Sequence, residues 1–68
     1  MMNVFVNNRE ESIGENATIQ DFLKSQGLST KRGIAIAVNN FVIAKATWGE
    51  TQLKEKDKIT IIQATQGG

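Results

Sequence analysis

The sequence predicts an α+β domain in which one main helix packs on one face of a mixed four- to five-stranded sheet. Three observations carry that prediction. Apolar residues recur with a period of two in several short runs, one stretch switches to helical spacing, and Asn-Asn pairs stand where tight turns are needed.

Met2, Val4 and Val6 alternate with Asn3, Phe5 and Asn7, which is the pattern of a strand. Asn7-Asn8 supplies turn residues that tolerate positive φ, so Arg9 to Ile13 returns as a second strand and Gly14-Glu15-Asn16 ends the hairpin. The period then changes. Ile19, Phe22 and Leu23 fall at i, i+3 and i+4, one stripe facing a core. Thr18 precedes them as an N-cap, and Asp21, three residues on, makes a shortened capping box. Lys24 suits the negative end of the helix dipole and Gly27 is placed for a left-handed C-cap. A helix of about two turns cannot stand alone in water and needs a sheet beneath it.

Ile34 to Val38 reads as a strand, Asn39-Asn40 as a tight turn and Phe41 to Ala44 as an edge strand. Lys45 to Gln52 has no clear period and holds Trp48 and Gly49, so it reads as an irregular connection or short 3₁₀ turn. In this reading Leu53 anchors it to the core and Trp48 is a partly buried anchor of the connection. Lys56-Asp57 makes a turn and Ile59 to Ala64 the last strand. The order is β-β-α-β-β-β. The first and last strands are the most apolar, which places them side by side and parallel at the sheet centre, joined by the long crossover that parallel pairing requires. This is a β-grasp, or ubiquitin-like, arrangement over residues 1–64, with 65–68 as a tail.

Size and composition bound the function. A chain of 68 residues buries about 60% of its unfolded surface and has no room for a second, catalytic domain with a deep pocket. It has no Cys and no His, which removes disulfides, thiol nucleophiles, imidazole bases and most metal sites. With 8 basic and 7 acidic side chains, interleaved as in Lys54-Glu55-Lys56-Asp57-Lys58, it offers no basic patch for nucleic acid. The longest apolar run, Ile34 to Val38, falls far short of the roughly 20 residues that cross a bilayer. Met1 to Val4 shows no signal-peptide pattern, so a cytoplasmic protein, monomeric when free, is the expectation.

One helix covers one sheet face, yet two strands are apolar on both sides. Ile34, Ile36, Val38 and Ile62 are the candidates for a partner-docking patch; ordinary surface hydrophobicity is the competing reading.

The sequence closes Ala64-Thr65-Gln66-Gly67-Gly68. Nothing apolar follows Ala64, so the last four residues read as an arm reaching about 13–14 Å when extended. Glycines lack Cβ atoms and enter narrow channels with backbone angles closed to other residues. A Gly68 carboxylate is anionic at neutral pH and a poor electrophile until activated, and the chain holds no group to activate it. A frayed terminus is the alternative for Gly-Gly taken alone. Small size, strand order and the lack of a nucleophile together favour a protein substrate threaded into a partner enzyme.

The stretch Ala37-Val38-Asn39-Asn40-Phe41-Val42-Ile43-Ala44-Lys45, followed by Trp48, Leu53, Asp57 and the closing Gly67-Gly68, resembles the ThiS family of sulfur carriers in thiamin (thiazole) biosynthesis. The resemblance runs over essentially the whole chain. It departs from the family pattern at Ala44, where the family has Pro, at Lys45, where it has Arg, and at Lys56, where it has Gly. The resemblance implies a non-enzyme that binds no cofactor itself. A ThiF-like adenylyltransferase would adenylate Gly68 with MgATP, Gly67 would give access, and a cysteine-desulfurase persulfide relay would convert Gly68 to a thiocarboxylate. A ThiG-like thiazole synthase would take the sulfur. A molybdopterin-synthase small subunit, a ubiquitin-like modifier and a non-reactive interaction module are the alternatives.

Overall fold

The computed structural model describes residues 1–28 and 32–63. Five strands form one sheet: β1 (Met2–Val6), β2 (Arg9–Ile13), β3 (Ile34–Val38), β4 (Phe41–Ile43) and β5 (Lys58–Gln63). Helix α1 (Ile19–Ser25) lies between β2 and β3, and a 3₁₀ turn at Lys45–Thr47 follows β4. The spatial order is β2-β1-β5-β3-β4. β1 and β5 pair in parallel and every other neighbour is antiparallel, as the apolar content of the two strands predicts.

Both hairpins close through Asn-Asn. Asn7 and Asn8 have φ of 49° and 71°, Asn39 and Asn40 of 52° and 73°. Positive φ at both central residues defines the type I′ turn, whose twist matches the flanking strands, and asparagine tolerates that region better than other side chains.

The helix ends are fully accounted for. Thr18 Oγ1 accepts from the Asp21 N–H and an Asp21 carboxylate oxygen accepts from the Thr18 N–H, each at 3.1 Å, so aspartate does the work usually given to glutamate in a capping box. The remaining first-turn donors, Ile19 N–H and Gln20 N–H, bond to the carbonyls of Thr51 (3.0 Å) and Trp48 (3.2 Å). At the other end Leu28 N–H reaches the Leu23 carbonyl and Gly27 N–H the Lys24 carbonyl. With Gly27 at φ 72°, this is a Schellman motif.

Ile19, Phe22 and Leu23 are buried against Val4, Ile36 and Ile59 of the sheet. The connection after β4 seals one end of this core: Trp48 and Leu53 are buried, the Trp48 indole N–H donates to the Ile43 carbonyl at 3.0 Å, and Leu53 N–H donates to the Ala17 carbonyl. Trp48 is therefore a core residue rather than a partly buried one. Strand β4 stops at Ile43, because Ala44 and Thr47 already bond to each other as the 3₁₀ turn begins. Ala64, expected to end the last strand, lies outside the described residues.

Candidate functional site

Strand pairing decides which side chains the helix covers. Residues directly opposite each other share a face, and alternate residues of a strand share one too. Ile36 stands opposite Ile43 and Ile61, and Val38 opposite Phe41 and Ile59. That side holds the core, except at its β4 edge, where Phe41 is 74% exposed. Ile36 is fully buried, and Ile34 and Val38 are half-buried and packed against the core. These three are corrected as docking candidates: they occupy the helix-covered face.

The opposite face carries the pairs Ala35–Ile62, Ala37–Thr60 and Ala37–Val42, with Phe5 beside Lys58 and Glu10 further along. Ile62 is 52% exposed and Val42 75% exposed. The small residues Ala35 and Ala37 lie between them, so a shallow apolar strip crosses β5, β3 and β4 with no element of the described chain over it. Of the four docking candidates, Ile62 lies on this open face. Val42 joins it, and the signal that pointed there was the contrast between large Ile34, Ile36 and Val38 and small Ala35 and Ala37 on one strand. Large aliphatic side chains belong to the face that buries them.

The second part of the site is the way β5 is held. Its first residues are fixed from both flanks. Asp57 accepts from Lys54 N–H (2.8 Å) and from the Asn39 amide (3.0 Å), while its carbonyl accepts from Phe5 N–H (2.9 Å). Asp57 is thus the centre of a turn, as its sequence position suggests. Asn39 also pairs with Lys58, its N–H donating to the Lys58 carbonyl and its side-chain oxygen accepting from Lys58 N–H. On the other flank Asn7 N–H donates to the Ile59 carbonyl, and the Asn7 side-chain oxygen accepts from Ile61 N–H, both at 2.9 Å. Gly67 and Gly68 follow β5 in sequence and lie outside the described residues.

The described residues hold no catalytic constellation. No group of three or more His, Cys, Asp or Glu is placed to hold a metal, no buried side-chain polar atom lacks a partner, and no helix is long and apolar enough to cross a membrane. Asp21 has its carboxyl held below the usual range, chiefly by the Thr18 backbone N–H, and this shift belongs to helix capping.

A family model described as the ThiS family matches residues 2–68. Two solved structures from Geobacter metallireducens have the same fold. One is a crystal structure of a thiamine biosynthesis protein (ThiS), 19% identical with a TM-score of 0.84, covering 98% of this chain and 100% of that one. The other is an NMR solution structure of a thiamine biosynthesis protein, 19% identical with a TM-score of 0.80, covering 98% of this chain and 88% of that one. No curated protein matches the chain.

Proposed function

We propose that this chain, which belongs to the ThiS family of sulfur carriers in thiamine biosynthesis, carries its sulfur on Gly68. The observation behind the proposal is that the family match extends through Gly67-Gly68 on a fold of this class, in a sequence without Cys or His.

In this reading Gly68 ends in a free carboxylate. An oxygen of that carboxylate attacks the α-phosphorus of MgATP in a ThiF-like adenylyltransferase and pyrophosphate leaves, so the anion becomes an acyl-adenylate. The terminal sulfur of a persulfide, loaded by a cysteine desulfurase, attacks the acyl carbon and AMP leaves. A thiol then attacks the donor's cysteine sulfur in the resulting acyl disulfide: that cysteine ends in a disulfide with the thiol, and the transferred sulfur stays on Gly68 as a thiocarboxylate. A ThiG-like thiazole synthase receives the sulfur. The chain's own contribution is recognition and presentation. Val42 and Ile62 give the partner an apolar surface, and Gly67 lets the backbone enter a channel that a Cβ would block.

Mass spectrometry of the protein purified from cells making thiamine tests the proposal. The expected form has one oxygen of Gly68 replaced by sulfur. In vitro, deletion of Gly68 abolishes ATP–pyrophosphate exchange by the adenylyltransferase while the thermal melt stays in place. A truncated chain that still supports exchange, or a branched conjugate on lysine in place of the sulfur form, overturns it.

A further inference from the structure

Each Asn-Asn turn uses its first asparagine to grip β5, and the two grips sit at opposite ends of that strand. Asn39 bonds at Lys58, where β5 begins. Asn7 bonds at Ile61, two residues before the strand ends at Gln63. The parallel ladder between β1 and β5 runs only over Phe5–Lys58 and Val6–Ile59 before β1 turns away. At the next rung a backbone carbonyl would accept from Ile61 N–H if β1 continued. The Asn7 side-chain oxygen stands in that place at 2.9 Å, with Asn7 at φ 49°.

We propose that Asn7 is a positioning residue for the reaction at Gly68, its side chain acting as the last tie on the β1 flank of β5, across from the β3 ladder that runs on to Gln63. The proposal rests on the tail chemistry given above. A carboxylate on the seventh residue past Ile61 must arrive in line with the α-phosphorus, and effective concentration falls when the segment leading to it fans out. Docking through Val42 and Ile62 lies on the open face and does not involve this rung. Loss of the rung therefore lowers the rate of adenylation within the complex and leaves the formation of the complex alone.

The test compares Asn7→Gly, Asn7→Asp and Asn8→Gly in ATP–pyrophosphate exchange with the adenylyltransferase. Glycine and aspartate both accept positive φ, so the turn survives, and thermal melts set a temperature at which every variant is folded. N7G is expected to lower kcat by roughly 3- to 10-fold, the range of one net hydrogen bond, with KM for the carrier unchanged. N7D keeps the acceptor and restores kcat. N8G, in the same turn, leaves kcat at the wild-type value. Amide exchange gives a readout independent of the enzyme: the Ile61 N–H loses protection in N7G and keeps it in N7D. The proposal is overturned if N7G matches wild type, if N8G lowers kcat equally, or if N7D fails as N7G does. A wild-type chain that supports no exchange overturns the tail chemistry itself, a result distinct from any of these.

Discussion

Replacing Lys56 with glycine stabilises this protein. Lys56 has φ 69° and an exposed side chain with no hydrogen bond or ion pair among the described residues, while its N–H donates to the Asn3 carbonyl at 2.6 Å. A Cβ in the left-handed region crowds the following carbonyl and costs about 1–2 kcal/mol. Glycine removes that cost, keeps the N–H and its bond to Asn3, and gives back about 0.5–1 kcal/mol through the greater freedom of the unfolded chain. The balance is a gain of about 0.5–1 kcal/mol. For a domain this small that raises the melting temperature by roughly 2–8 °C. The single tryptophan, Trp48, is buried in the core and reports global unfolding, so urea titration followed by its fluorescence is the assay. The midpoint moves to higher urea with an unchanged slope. Lys56→Ala separates the cause: it removes the charge but keeps the Cβ, and its midpoint stays near wild type. A K56G midpoint at or below wild type, or an equal gain in K56A, refutes the backbone argument.

The capping box and the two sheet faces give two further predictions. Thr18→Ala removes the acceptor for Asp21 N–H and costs about 1 kcal/mol, read from urea midpoints. The Asp21 carboxyl titrates lower in the folded state than in the unfolded one, so its contribution is full above the unfolded value. It is lost as pH falls through the folded value. Asp21→Asn therefore shows a shallower acid limb than wild type below the ordinary carboxylate range; parallel limbs count against the assignment. Ile36→Ala, at a fully buried position, costs about 2–5 kcal/mol, whereas Ile62→Ser on the open face stays within about 0.5 kcal/mol. Calorimetric titration with the adenylyltransferase should show weakened binding for Ile62→Ser and for Val42→Ser, and a reversed order of stability between Ile36 and Ile62 would refute the face assignment.

The elements were legible because each rests on a local signal. Thr18, Asp21 and Gly27 bracket the helix, and the two Asn-Asn pairs mark the hairpins. The alternation of β1 and the apolar content of β5 foretell their pairing. What could not be read in advance depends on distance along the chain. Asn7 and Ile61 are 54 positions apart, and no local pattern announces that a turn side chain completes a ladder on a strand that distant. The choice of face for Ile36 failed for a related reason. Alternation separates a strand into two sides, and only the position of the helix tells which side is covered. Residue size held the missing information, since Ile34, Ile36 and Val38 alternate with two alanines. Lys56 was legible as a turn residue, but its left-handed backbone follows from the need to return Asp57 between β1 and Asn39.

The same shortage of chain that limits the core also explains the open face. One seven-residue helix covers the Ile36 side of the sheet, and a second helix on the Val42 and Ile62 side would add buried apolar area and stability. It would also hide the strip. Under the function proposed above, a partner must find a surface on this chain, and leaving this face bare would trade folding free energy for recognition. The small residues at its centre fit that demand. Ala35 and Ala37 keep the strip shallow, so a partner's side chains can approach the sheet closely between Val42 and Ile62. Enlarging Ala35 to leucine would then fill space a partner needs while burying little within the isolated domain. Binding would weaken without loss of stability, whereas tighter binding would mean that area alone, and not the shape of the strip, governs docking.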